Sequence, residues 1–265
     1  MHDYSCRKTK SGEIMRKPFI AGNWKMNNDA KYSAELAAGL GQALKDVTTV
    51  DIAVCPTFVY LQTVANALGD SSIKVGAQDV YFESNGAFTG EISTDMLKDV
   101  GCTYAIIGHS ERRHVLGETD ETVNKKLLAT LKSGLLPILC VGELLEEREA
   151  EKTTEVVTTQ IKAGLASVSA EEMLKVTVAY EPVWAIGTGK TATADQAQEV
   201  HAMIRKLLAE MYDADTAENV RIQYGGSAKP ANTAELMANA DVDGLLVGGA
   251  SLKVEDFAAM IKNVE

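Results

Sequence analysis

A few polar side chains in this chain could together move a proton beside a carbonyl: Glu181, His109, Lys25, Asn23 and Glu111. A carboxylate can accept a proton from carbon, and an imidazole can donate a hydrogen bond to the carbonyl oxygen and shuttle protons. An ammonium and an amide can stabilise the oxyanion that forms. Two glycine-rich turns, Gly225-Gly226-Ser227 and Gly248-Gly249-Ala250-Ser251, accompany them. Glycine backbone can approach an anion closely, so the set suits proton transfer on a phosphorylated molecule. Taken singly, each residue has a duller explanation. Glu181 could be a structural carboxylate, His109 a satisfied buried histidine, Lys25 a solvated surface lysine and Asn23 a turn residue. Glu111 could pair with Arg112 or Arg113, and glycine pairs usually just make turns. Position favours the chemical reading, because these residues all fall at the ends of short apolar runs.

Those runs must position the chemistry. They are Pro18–Trp24, Asp51–Cys55, Ile73–Ala77, Tyr104–Gly108, Leu135–Gly142, Lys175–Tyr180, Arg221–Gly226 and Asp243–Gly249. Their apolarity is continuous, not alternating, as in parallel strands covered on both faces. Amphipathic stretches lie between them. Asp29–Lys45 and Asp120–Lys132 carry apolar residues at helical spacing, and Asp195–Tyr212 follows Thr193, an expected N-cap. Eight strand–helix alternations without a linker point to an α/β fold, a single-domain (β/α)₈ barrel spanning residues 15–265. Periodicity leaves a doubly wound open sheet as the competing architecture. In a barrel, chemistry sits at the C-terminal ends of the strands, where every candidate falls. Residues 1–14 are polar and patternless, and are expected to be a non-native or disordered leader.

The formal net charge of -11 argues against nucleic acid and anionic membranes as partners. It also requires an anionic substrate to be attracted locally, not by the overall field. No window reaches the ~18 consecutive apolar residues of a membrane span, and the N-terminus lacks a secretory core, so a cytoplasmic protein is expected. Cys6, Cys55, Cys102 and Cys140 are scattered without metal or disulfide spacing. Cys55 and Cys140 read as small buried hydrophobes. No two histidines have ligand spacing, so no metal site is expected, and His114 and His201 are assigned nothing. Gly189-Lys190-Thr191 mimics the end of a nucleotide-binding loop, but Trp184 stands where that motif needs its first glycine.

Six ordered segments go further. AGNWKMN (21–27), GAFTGEIS (86–93), IIGHSERR (106–113), AYEPVWAIGTGK (179–190), YGGS (224–227) and LLVGGASL (245–252) closely resemble signatures of the triosephosphate isomerase family. The resemblance runs from about Met15 to the C-terminus, in order and at similar spacing, and no departure falls at an expected catalytic position. It implies a cofactor-free enzyme of glycolysis and gluconeogenesis that interconverts dihydroxyacetone phosphate and D-glyceraldehyde 3-phosphate through an enediol(ate). It implies Glu181 as the base, made more basic by burial. His109 would polarise the carbonyl, and Lys25 and Asn23 would stabilise the developing charge. Glu111 would orient Lys25. Gly187, Ser227, Gly248 and Gly249 would give backbone N–H groups to the phosphate. HSERR would open a helix whose N-terminus keeps His109 neutral. Pro182–Thr191 would be a lid, stiff at both ends, with a small-residue tip at 185–189. Gln78–Ser93 is long for a barrel loop and carries Tyr81, Phe82 and Phe88; the resemblance implies a homodimer through it, with Thr89 near the other active site. Two other functions remain as alternatives. One is a different phosphosugar barrel enzyme, which would lack the Asn-Trp-Lys and Glu-Pro-Val-Trp segments. The other is a non-catalytic barrel scaffold, which would be expected to have lost Glu181, His109 or Lys25.

Overall fold

The computed structural model of the chain describes residues 7–8, 14–187 and 191–264. Most of the expected leader (1–6 and 9–13) and residues 188–190 of the expected lid lie outside the described residues. Eight parallel strands close into a barrel: β1 (Phe19–Asn23), β2 (Asp51–Cys55), β3 (Lys74–Ala77), β4 (Cys102–Ile107), β5 (Leu136–Val141), β6 (Thr177–Tyr180), β7 (Arg221–Tyr224) and β8 (Gly244–Val247). Seven of the expected runs contain a whole strand, and the eighth, Tyr104–Gly108, overlaps β4, which begins earlier at Cys102. Closure is made by β8, which pairs with β7 on one side and runs from Gly244↔Phe19 to Val247↔Gly22 along β1 on the other. The open sheet is thereby excluded.

The continuous apolarity has its cause in two packed layers. Phe19, Ala21, Ala53, Cys55, Tyr104, Ile106, Ile138, Cys140, Ala179 and Leu246 fill the barrel interior. The alternate residues, such as Ile20, Val54, Ile107, Leu139 and Val178, pack outward under the helices. At the N-terminal end of the barrel, Phe19 stacks on Tyr104 with ring centroids 4.7 Å apart, and the Arg221 guanidinium lies 4.8 Å from the Phe19 ring. Asp51 accepts from Lys17 and Arg221, each at 2.7 Å. That end is plugged, and the opposite end is left for the site.

Twelve α-helices cover the strands among the described residues. They are α1 (Ala30–Ala43), α2 (Leu61–Leu68), α3 (Thr94–Asp99), α4 (Ser110–His114), α5 (Asp120–Ser133), α6 (Leu145–Glu149), α7 (Thr153–Gly164), α8 (Ala170–Met173), α9 (Ala194–Met211), α10 (Ala214–Asn219), α11 (Pro230–Met237) and α12 (Val254–Lys262). Side chains start them as expected. Asp29 accepts from the Tyr32 N–H at 2.7 Å to open α1, and Thr193 accepts from the Gln196 N–H at 3.1 Å to open α9. Helix α1 stops short of the expected Lys45, with Leu44 as its C-cap. A short antiparallel ladder pairs Arg7–Lys8 with Ile14–Met15, where the sequence pattern promised no structure. None of the described helices is long and apolar enough to cross a membrane.

Candidate active site

The C-terminal end of β4 presents the imidazole. The chain leaves Ile107 through Gly108, whose φ of +68° suits glycine, and a Cβ there would stand 2.9 Å from Arg113 Nη2 and 3.0 Å from Val123. Arg113 then fixes the turn by donating to Gly108 O at 2.7 Å and to Cys140 O at 3.2 Å. His109 is the N-cap of α4, and its Nδ1 accepts from the Glu111 N–H at 3.2 Å. With Nδ1 in the accepting role, Nε2 is the ring's donor. That Nε2 points across the barrel to Glu181 Oε1, 2.9 Å away.

Glu181 follows β6 and is 2% exposed. Its backbone packs so tightly on Gly142 that a Cβ at that glycine would fall 1.7 Å from Glu181 O. The Gln160 side chain holds Gly142 in place, accepting from its N–H at 2.7 Å and donating to its carbonyl at 3.1 Å. The carboxylate is occupied on both oxygens. Ser110 N–H donates to Oε2 at 2.9 Å, and Ser110 Oγ donates to Oε1 at 3.2 Å. Burial pushes this carboxyl upward in pKa, but the imidazole of His109, the Ser110 amide and the charge of Lys25 outweigh it, so Glu181 lies below the usual carboxylate range. The expectation that burial would make it more basic is corrected here, because burial counts only one of the opposing effects. Cys140 is more than a filler. It lies against Glu181, and burial together with that carboxylate pushes its thiol well up.

Lys25 sits just past β1 with a φ of +51°, an uncommon conformation for a side-chain-bearing residue. Three contacts hold it. Its N–H donates to Asn23 Oδ1 at 3.0 Å, and Gln78 Nε2 donates to both Lys25 O and Cys55 O at 2.8 Å. Its ammonium lies 2.6 Å from Glu111 Oε1, as an orienting partner would. Asn23 uses its oxygen internally, which leaves the Nδ2 donors for the cleft. At the end of β5, buried Glu143 accepts from Tyr180 OH at 3.0 Å and from Trp184 Nε1 at 2.9 Å, tying the start of the 182–191 segment to the barrel.

A cleft of about 920 Å³ gathers these groups. Asn23, Lys25, His109, Glu111, Glu181, Gly187, Ser227, Gly248 and Gly249 all line it. Gly249 opens a 3₁₀ turn, whose first N–H groups have no acceptor within the turn. Ser227 stands two residues before Lys229, the N-cap of α11. The arrangement puts a carboxylate, an imidazole donor and an ammonium at one end, with small-residue backbone at the other. Sequence reasoning gave Gln78 and Ser110 no part in the chemistry. Their contacts with Lys25 and Glu181 bridge 53 and 71 residues, which no local pattern records.

Comparison with known proteins bears on this constellation. A family model described as triosephosphate isomerase matches residues 18–264. The chain belongs to the triosephosphate isomerase family. The triosephosphate isomerase of Carboxydothermus hydrogenoformans is 57% identical over 248 residues, covering 94% of this chain and 99% of that protein. That of Moorella thermoacetica is 56% identical over 247 residues, covering 93% and 98%. That of Endomicrobium trichonymphae is 53% identical over 248 residues, covering 94% and 99%. The span matched to the triosephosphate isomerase family contains all eight barrel strands and every residue named above as lining the cleft.

Proposed function

We propose that the chain interconverts dihydroxyacetone phosphate and D-glyceraldehyde 3-phosphate by proton transfer through an enediol(ate). The observation that carries this reading is the 2.9 Å approach of His109 Nε2 to Glu181 Oε1 in a cleft shared with Lys25 and the two glycine-rich turns. Glu181 is the base that lifts a proton from one carbon and returns it to the next. It is ionised and ready to accept, but it must first leave Ser110 and His109 to reach a substrate. His109 donates its Nε2 hydrogen to the carbonyl oxygen. Lys25 and the Asn23 amide stabilise the enediolate, and Glu111 orients Lys25. Backbone N–H groups of Gly187, Ser227, Gly248 and Gly249 hold the phosphate without adding charge.

The segment 182–191 acts as a lid over the phosphate, excluding water and holding the enediolate in plane. The trio of Glu143, Tyr180 and Trp184 supports a fixed hinge at its start. The protein works in the cytoplasm as a homodimer. Support for the dimer comes from the 78–93 loop, where residues 83–91 are all exposed and the Tyr81 ring lies tilted against Phe82 and Phe88, with centroids 4.3 and 4.9 Å away. Met26, Val59, Val115 and Leu116 are further large apolar residues left exposed. A coupled assay with glyceraldehyde 3-phosphate in EDTA tests the activity. Turnover unchanged by the chelator is expected; no turnover would sink the reading, and turnover only with added metal would favour another phosphosugar enzyme.

A further inference from the structure

The cleft extends past the phosphate turns, and its outer wall carries three charged side chains that the reaction does not use: Lys229, Lys253 and Asp256. Lys229 precedes α11, Lys253 precedes α12, and Asp256 stands in the first turn of α12. Both lysines are exposed and Asp256 is half-buried. Among the described residues none of the three is in an ion pair, in contrast to Lys25, whose charge is met by Glu111 at 2.6 Å.

The charge balance gives these residues a task. The whole chain carries a formal charge of -11, so its overall field repels a phosphate ester. The inner site does not reverse that repulsion. Its one ammonium, Lys25, faces two carboxylates, Glu111 and Glu181, so the inner site holds no net positive charge. Among the described residues that line the cleft, net positive charge comes from the outer wall, where two lysines outnumber one aspartate. Opposite charges so placed act on the encounter rate, because a cleft focuses the field and unpaired charges are not cancelled locally.

We infer that Lys229 and Lys253 draw a dianionic phosphate ester into the cleft, and that Asp256 acts against them and holds the capture rate below what the two lysines alone would reach. This rests on the functional reading above, since the captured species is the triose phosphate. None of the three touches the reacting atoms, so their effect falls on kcat/KM and not on kcat. It is greatest at low ionic strength, where the screening length is about 30 Å at 0.01 M, and fades at 1 M, where it is about 3 Å.

The test compares the parent with Asp256→Asn and with the double substitution Lys229→Gln, Lys253→Gln, using glyceraldehyde 3-phosphate from 0.01 to 1 M ionic strength. At low salt, Asp256→Asn should raise kcat/KM about two- to fourfold and the lysine pair should lower it about fivefold or more. All three proteins should share one kcat and converge at high salt. Added viscogen should slow kcat/KM in each, as expected for capture, and the inhibition constant of inorganic phosphate should shift in the same order. Parallel salt slopes, a changed kcat, or differences that persist at 1 M would overturn the inference while leaving the isomerase reading intact. A parent protein without turnover at any salt would overturn both. Asp256→Asn is nearly isosteric at a half-buried site, so it remains informative if the double variant misfolds.

Discussion

Gln78→Ala should cost activity out of proportion to stability. The amide of Gln78 bridges Lys25 O and Cys55 O at 2.8 Å each and so holds Lys25 at a φ of +51°. A left-handed conformation costs a residue with a Cβ roughly 1–2 kcal/mol. Two hydrogen bonds contribute about 1 kcal/mol each. The two effects nearly cancel, so their joint removal should change unfolding free energy by no more than about 1 kcal/mol, or ~2–4 °C in Tm for a domain of this size. The backbone at Lys25 is then free to relax, and its ammonium moves. A displacement of 1 Å at a positioned group costs on the order of 10²-fold in turnover. Steady-state kinetics with either triose phosphate reads the loss, at protein concentrations where sedimentation gives the same oligomer as the parent. A double-mutant cycle with Lys25→Met separates positioning from general damage. If Gln78 acts through Lys25, the double variant is no worse than Lys25→Met alone. Activity within twofold of the parent, or losses that multiply in the cycle, would refute the reasoning.

Three other perturbations probe different parts of the molecule. His201 is fully buried, and its Nδ1 donates to Asp241 O at 3.0 Å. Burial pushes its pKa from 6.5 down to about 4. A depressed histidine keeps its stabilising effect above pH ~6.5 and loses it as pH falls toward 4, a change of about 3 kcal/mol. Denaturant titrations of His201→Gln should therefore show a flatter decline over that window; parallel curves would contradict the assignment. Deleting the small-residue tip at 185–189 should let methylglyoxal and inorganic phosphate accumulate during turnover, measured by product analysis, and release of neither would remove the protective role of the lid. Phe88→Glu, on the exposed 78–93 loop, should shift sedimentation from dimer to monomer, whereas a parent already monomeric at working concentration would end the dimer proposal.

The strands were legible because a parallel strand buried on both faces writes an unbroken apolar run, as in Phe19–Asn23 and Leu136–Val141. Their closure was not, because no residue pattern within β8 says that it pairs with β1, far away in the chain. Helix starts were readable from caps such as Thr193, while the end of α1 at Ala43 depended on where the chain turns into β2. The reactive residues could be named because each sits in a short motif at a strand end. Gln78 and Ser110 gained their significance only from contacts formed across the barrel. The acidity of Glu181 was misjudged for the same reason, since the donors that lower it come from β4 and β1, not from its own segment.

The most direct test of Glu181 as the proton carrier is isotope exchange. Dihydroxyacetone phosphate incubated in D₂O with the parent protein should gain deuterium at the carbon beside the carbonyl. With Glu181→Gln the exchange should slow by a factor of about 10³ or more, while inorganic phosphate still binds. Exchange at a comparable rate in the variant would mean that another group moves the proton, and that the close approach of Glu181 to His109 is structural.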